Sequence, residues 1–280
     1  MARLDVDAGK SIYYEQYEGT GPAVVLVHGW GMASRVWDLT VPALLEAGHE
    51  VVAYDHRCCG RSDKDFRSAT TDDHAADLVA LVNATGVQRP VIAGWSYGAA
   101  VVAQAAGALG DRVAGLVLVG PPTPRYTQAE GFPHGGTAEI MEQTLTALRD
   151  TRPDFLHGLS QSVCHGETSA PVVNWMWAMF LETGPRADAS LGDLGTIDHR
   201  ELLPTLTAPA LVMRGAHDAI VDPAIADVCA SLLPSSRLVE FADSGHAPFL
   251  EERERFNAEL LAFVADPAGA VERGPVSASS

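Results

Sequence analysis

At 280 residues, 47% of them hydrophobic, the chain suits one domain with an ample core, or one domain carrying a large insertion. Its 19 basic and 36 acidic side chains give a formal net charge of −17, which leaves no basic stripe for nucleic acid and disfavours an anionic membrane surface; a solvated acidic surface is the plain reading. No apolar run approaches the length of a membrane span, the opening Met1-Ala2-Arg3-Leu4-Asp5 lacks the apolar core of a signal peptide, and a soluble cytoplasmic protein is expected.

Short apolar runs alternate with amphipathic stretches along the chain. Residues 12–17 read as a strand. Ala23, Val24, Val25, Leu26 and Val27 form a continuous apolar run that stops at His28-Gly29, which suits a strand buried on both faces of a parallel sheet. A helix is predicted over 37–47 and a strand over 51–54, ending at Asp55. Residues 71–85 have helical periodicity, with Ala75, Leu78, Val79 and Val82 on one side. A strand over 91–95 runs into a helix over 96–108, and 113–119 is a further buried strand. Between Pro121 and Pro209 the alternation breaks. There 137–148, 154–163 and 172–183 have helical patterns, no strand is convincing, and Gly131, Gly135 and Gly136 give the leading loop freedom to flex. Strands resume over 210–214 and 237–241, with a helix over 223–232 between them and a last helix over 248–264. From Pro267 on, Ala, Gly, Pro and Ser predominate and a loose tail is expected.

Repeated βα units predict an α/β fold: a doubly wound, mostly parallel sheet of about eight strands, with a helical cap inserted after the sixth strand. The expected organisation is a core of 1–120 and 210–266, a cap of 121–209 and a tail of 267–280. The four cysteines, Cys58, Cys59, Cys164 and Cys229, show no metal-ligand spacing and read as free thiols in a reducing compartment. No metal and no cofactor are expected.

The stretch Gly94-Trp95-Ser96-Tyr97-Gly98 has the G-x-S-x-G pattern between a predicted strand and a predicted helix. A turn that tight strains the serine backbone and lets flanking side chains collide unless they are glycine. It lifts the Ser96 hydroxyl above the sheet edge, with the free N–H groups of a helix start behind it. A serine hydroxyl needs a base within reach. Of ten histidines, His246 is the best placed, in Asp243-Ser244-Gly245-His246-Ala247-Pro248 after the last strand, at the carboxyl edge where open α/β sheets put their sites. His49, His74 and His157 read as solvated instead. The base needs an acid to fix its tautomer, and Asp218, directly after the strand over 210–214, fits. Asp222 competes, but Asp222-Pro223 looks like a helix start. His28-Gly29-Trp30-Gly31 follows the first long buried strand. The backbone N–H groups of Trp30 and of Tyr97 are assigned as oxyanion donors, each typically worth about 3 kcal/mol of transition-state stabilisation, while His28 orders the loop through hydrogen bonds.

With these parts in the order Ser, Asp, His, the chain resembles the α/β-hydrolase fold enzymes over nearly its whole length. Tyr54-Asp55-His56-Arg57-Cys58-Cys59-Gly60-Arg61-Ser62 is similar to that family's D-x-R-G-x-G-x-S turn, in which the Arg and Ser brace the loop; here Cys58 replaces the usual Gly. Trp95 and the His28 to Trp30 loop resemble the branch of bacterial esterases and cofactor-free haloperoxidases, which are also perhydrolases. Ser rather than Asp at position 96 sets the chain apart from haloalkane dehalogenases and epoxide hydrolases of this fold. Gly120-Pro121-Pro122 offers no acid after the strand over 113–119, where some relatives carry it.

The resemblance implies a serine hydrolase of a small, uncharged, mostly apolar ester or lactone. Perhydrolysis and carbon–carbon cleavage of a diketone would use the same residues, and a ligand sensor on this fold is the reading from another class. Trp30, Tyr97, Phe132, Trp175, Trp177 and Ile220 are expected to contact substrate, with Met179, Phe180 and Ala247 as further apolar candidates. No Arg cluster marks an anionic substrate, Arg125 being the one outlier.

Overall fold

A computed structural model of the protein describes residues 2–272. The strands are β1 (Ala2–Asp7), β2 (Lys10–Tyr17), β3 (Gly21–Val27), β4 (His49–Asp55), β5 (Val91–Trp95), β6 (Gly115–Val119), β7 (Ala210–Gly215) and β8 (Ser236–Phe241). They form one sheet in the order β1-β2-β4-β3-β5-β6-β7-β8. β2 pairs antiparallel with β1 and β4, and the other neighbours are parallel. Every residue of β5 and β6 is buried, as their unbroken apolar sequences require of strands covered on both faces.

The covering helices are α1 (Val41–Glu46), α2 (Thr71–Thr85) and α3 (Tyr97–Leu109). The stretch between β6 and β7 adds α4 (Ala138–Asp150), α5 (Arg152–Ser162), α6 (Ala170–Leu181) and α7 (Asp188–Leu194). Beyond β7 come α8 (Pro223–Leu232), α9 (Pro248–Glu251), α10 (Arg253–Ala265) and α11 (Pro267–Glu272). α2 shows how local chemistry sets the ends. Thr70 accepts from the Asp73 N–H while the Asp73 carboxylate accepts from the Thr70 N–H, and Gly86 ends the helix at φ 71°. No helix among the described residues is long and apolar enough to cross a membrane.

The strand order reverses at β3. The chain goes from β3 to β4 on one side and then to β5 on the other, so the crevice of the doubly wound sheet opens at the carboxyl ends of these three strands. Val27 is paired in register with Tyr54 on β4 and with Gly94 on β5, which sets His28, Asp55 and Trp95 side by side at the carboxyl ends of the three strands.

The turn after β4 is tied down heavily. Asp55 accepts from the N–H of Ser34 and of Arg61, and Ser62 Oγ donates to the Asp55 carbonyl while accepting from Tyr13 N–H. Arg57 reaches α2, where its Nε and Nη2 donate to the two oxygens of Asp77 at 2.7 and 2.5 Å; both side chains are buried. Cys58 takes φ 67°, the left-handed conformation that glycine would adopt without strain, so the turn survives the substitution of cysteine for glycine at a conformational cost.

Some expectations change. β1 was not anticipated: its six residues alternate half-buried and exposed, an edge pattern with little apolar signal. α7 likewise carries no clear periodicity and is held by burial of Ser190, Leu191 and Leu194. The single helix expected over 248–264 breaks at Glu252, because the carboxylates of Glu251 and Glu252 turn back to accept from Gly245 N–H and from Asp243 N–H and Ser244 Oγ. The tail expected from Pro267 opens instead as α11 with Ala270 buried; the rest of that expectation lies outside the described residues. Gly131 and Gly135 do not stand in a free loop. Gly131, at φ 70°, sits in a turn closed by reciprocal Ala129 and Phe132 backbone bonds of 2.9 Å, and Gly135, at φ 80°, donates its N–H to Asp222 and accepts from the Gln128 amide.

Asp77→Asn should destabilise the fold by up to about 3–5 kcal/mol, since it removes the buried partner of Arg57 and leaves only Asp73, at 3.6 Å, to balance that charge. Denaturant titration of both proteins checks this, and a loss under about 1 kcal/mol would contradict it.

Candidate active site

Ser96 follows β5 directly and is the N-cap of α3, at φ 54° and ψ −126°. That conformation is sparsely populated for a residue with a side chain and persists only where the surroundings over-determine it. They do so here. Ser96 N–H donates to the Val119 carbonyl at 2.8 Å, and its carbonyl accepts from Ala99 N–H at 2.8 Å. A side chain on Gly94 would collide with the Gly98 carbonyl, and one on Gly98 with the carbonyls of Val27 and His28. Two glycines thus let α3 descend onto the end of β3. Tyr97 opens that helix, so its N–H has no acceptor within the helix.

His246 sits in the loop between β8 and α9. Its Nδ1 lies 2.6 Å from Asp218 Oδ2, and both side chains are 2% exposed. The second Asp218 oxygen accepts from the N–H of Ile220 and of Val221, each at 2.9 Å, which fixes the carboxylate plane. His246 Nε2 is buried and has no hydrogen-bond partner among the described residues. The loop backbone is anchored on two sides: His246 N–H donates to the Val163 carbonyl at 2.8 Å, and Trp95 Nε1 donates to the His246 carbonyl at 2.8 Å. Gly120, at φ 52° after β6, lies beneath the imidazole; a Cβ there would be 3.0 Å from the ring. Asp222, the competing carboxylate, is occupied as the cap of α8, accepting from Ala224 N–H at 3.0 Å and Gly135 N–H at 3.1 Å.

A cavity of about 690 Å³ opens at this edge, and Ser96, Asp218, His246, Trp30, Tyr97 and Ile220 all line it. Its far walls come from the stretch between β6 and β7, through Tyr126, Ile140, Met141, Phe155, Leu159 and Phe180, with Leu191 and Leu194. Among the described residues the lining has no lysine or arginine, and Arg125 is paired with Asp198 at 3.0 Å outside it. Trp30 is fixed by its indole N–H, which donates to the Ala187 carbonyl at 2.9 Å, and Thr183 Oγ1 donates to the Gly31 carbonyl at 2.7 Å.

Three residues expected at the substrate are placed elsewhere. Phe132 is buried in a separate cluster with Val221 and Ile225. Trp175 lines a second cleft with Asp38, Leu39 and Cys164, and Trp177 packs edge-on against His157, because α6 turns its other face, with Met176 and Phe180, towards the core. Met179 is likewise buried in the core. The walls that sequence reading missed, Tyr126 and those on α4 and α5, carry a partial signal in the amphipathic pattern of α4.

His49 and His74 are not solvated. His49 Nδ1 faces the Pro22 carbonyl, and His74 is 1% exposed. His74 belongs to a buried group with His28, His56 and Tyr97 that packs directly behind the elbow. Burial pushes the His28 ring down to about 4 and the His74 ring down to about 3, and pushes His56 well below the usual histidine range. All three are therefore neutral at pH 7.

A family model described as alpha/beta hydrolase fold matches residues 22–253. The chain is 30% identical over 275 residues to a bifunctional esterase/perhydrolase of Acinetobacter calcoaceticus, covering 94% of this chain and 99% of that protein. Among solved structures it is similar to a bromoperoxidase from Bacillus anthracis, at TM-score 0.90 and 27% identity, covering 95% of this chain and 99% of the other. It is similar also to an esterase from Exiguobacterium antarcticum, at TM-score 0.89 and 27% identity, covering 94% and 98%.

Gly120→Ala should slow fluorophosphonate labelling of Ser96 by about tenfold, since the ring must give by a few tenths of the ångström whose loss costs about a hundredfold. Labelling within threefold of wild type would show that the ring tolerates the methyl group. Acid should weaken the fold through the buried imidazoles. Unfolded histidines take up protons below about pH 6.5 while the folded rings stay neutral to about pH 4, so each ring costs roughly 1.4 kcal/mol per pH unit in that window. His74→Phe removes one such contribution, and its stability relative to wild type should rise by that increment per unit as the pH is lowered from 6 to 5.

Proposed function

The chain belongs to the alpha/beta hydrolase fold family, and on that basis we propose that it is a serine hydrolase that cleaves a carboxylic ester or lactone. The observation that carries the reading is the state of His246: Nδ1 is held by Asp218, and the buried Nε2 is left open in the cavity that Ser96 lines. His246 takes the Ser96 proton as the hydroxyl oxygen attacks the carbonyl. Asp218 keeps the proton on Nδ1 and stabilises the imidazolium as it forms. The oxyanion develops against the backbone N–H groups of Trp30 and Tyr97. Collapse of the tetrahedral intermediate expels the alcohol, protonated by His246, and leaves an acyl-enzyme. His246 then deprotonates water, which attacks the acyl carbon and releases the acid and the serine.

The apolar walls and the absence of lysine and arginine among the lining residues support an uncharged substrate. In this reading 121–209 is a cap that shapes the binding side, and the protein works in the cytoplasm without nucleic acid or membrane partners. Perhydrolysis is the second reading, favoured by the relative that carries both esterase and perhydrolase in its name. There peroxide replaces water in attacking the acyl-enzyme and gives a peracid.

Ser96→Ala should reduce turnover of a chromogenic short-chain ester by at least about 10⁴-fold with the fold intact. Retention of turnover would overturn the reading. Peracid and acid formation measured side by side, with peroxide at graded concentrations, separates the two outcomes of the acyl-enzyme.

A further inference from the structure

Three neutral histidines behind the elbow form a directional chain of hydrogen bonds. His28 Nε2 lies 2.9 Å from the His56 backbone N–H, which can only donate, so Nε2 carries the lone pair. The proton of the ring is then on Nδ1, 2.7 Å from the Gly29 carbonyl, which can only accept. His56 Nε2 lies 3.0 Å from the His28 carbonyl and must donate to it. His56 Nδ1 is therefore an acceptor, and it is faced by His74 Nδ1 at 3.1 Å and Tyr54 Oη at 3.2 Å. The tautomers of His28 and His56 are thus set by backbone groups, and His74 and Tyr54 face the acceptor that this leaves on His56.

The chain of bonds ends on the carbonyls of His28 and Gly29, on either side of one residue. The Gly29 carbonyl shares its peptide group with the Trp30 N–H. In a trans peptide these two point in opposite directions, so a clamp on the carbonyl aims the N–H away from His28. The same bond polarises the amide and strengthens its donor. The loop concerned lies against the nucleophile: a Cβ on Gly29 would be 3.2 Å from Ser96 Cβ. On the other side, the Tyr97 ring packs 5.8 Å from His56 and 5.3 Å from His74, so the first residue of α3 rests on the same cluster. The histidines thus bond the loop before Trp30 and pack on the side chain of Tyr97, the two residues assigned as oxyanion donors.

We infer that His56 and His74 are positioning residues: His56 Nε2–H holds the His28 carbonyl, His74 and Tyr54 occupy the acceptor that this leaves on His56, and the loop so held presents the Gly29–Trp30 peptide with its N–H towards Ser96. Neither ring meets substrate, and His56 acts through His28. The Arg57–Asp77 ion pair keeps the two rings in register, since Arg57 follows His56 and Asp77 lies one helical turn beyond His74. This inference rests on the oxyanion role proposed above for Trp30 and Tyr97.

The test uses the full chain and a boronic acid as the probe of oxyanion-like geometry. Its binding is read by competition with fluorophosphonate labelling, so it needs no turnover. His56→Phe removes the donor to the His28 carbonyl; it should lower kcat by about tenfold and weaken the boronate by the same factor, with KM within about twofold. His56→Gln, whose amide N–H reaches the place of Nε2, should restore most of both. Nitrogen-15 spectra of the wild type should show the proton on Nδ1 of His28 and on Nε2 of His56, a readout that stands even where a variant fails to fold. The inference is overturned by the opposite tautomer at either ring, by unchanged boronate affinity in folded His56→Phe, or by a loss that Gln does not rescue. A wild type inert to every ester would refute the proposed function, while the tautomers and boronate binding would still decide the role of the histidines.

Discussion

Three backbones meet beside Ser96. The end of β3, the last residues of β5 and the first turn of α3 approach so closely that neither Gly94 nor Gly98 has room for a single carbon more. This contact holds the serine at a positive φ and leaves the N–H of Tyr97 without an intrahelical acceptor, and it brings the His28 carbonyl under the helix start. The strain is met by an unusually dense set of supports. Asp55, Ser62 and the Arg57–Asp77 pair stiffen the neighbouring turn, and the buried histidines fill the space behind it with hydrogen bonds rather than apolar packing. The bonds from His28 to His56 run in one sense, which makes the arrangement specific, while His74 Nε2 and Tyr97 Oη are buried without a hydrogen-bond partner among the described residues.

Much of this was legible in the sequence because it is written in short-range chemistry. The parallel strands announce themselves as unbroken apolar runs. The elbow and the loop at His28 are spelled by glycines at fixed spacing, and Asp218 and His246 stand immediately after β7 and β8. What stayed hidden depends on distant parts of the chain. The burial of His74 had a signal, since it lies four residues before Leu78 and seven before Leu81 on α2, but a histidine on an apolar helix face names no partner. The cavity walls were harder. α4, α5 and α6 are all helical by pattern, yet which side of each meets the cavity is decided by how they pack on one another. The two tryptophans of α6 were therefore expected at the substrate and are found away from it, while the same helix contributes Phe180. The break at Glu252 was equally invisible, being caused by loops that Glu251 and Glu252 reach across space.

Asp218 and His246, the acid and base of the proposed reaction, are held by different means. Asp218 is fixed by backbone donors of its own loop, a local device. His246 depends on groups remote in sequence: Asp218, Trp95, Val163, and Glu251 through Gly245. Trp95 thus does more than separate Gly94 from Ser96, since its indole links the elbow to the loop that carries the histidine.

The bond from His246 N–H to the Val163 carbonyl has a further meaning. Val163 ends α5, and α5 is one of the cavity walls. Together with the Trp30 to Ala187 and Thr183 to Gly31 bonds, it stitches the inserted stretch to the loops that carry His246, Trp30 and Gly31. A swing of α5 away from the sheet would break the anchor of His246 as it widened the entrance. Admission of a bulky molecule and alignment of the imidazole then compete for the same hydrogen bond. In the hydrolysis proposed above, size discrimination would thereby enter the rate of the bond-breaking step itself, and a ligand too large for the closed cavity would be penalised through turnover rather than through binding alone.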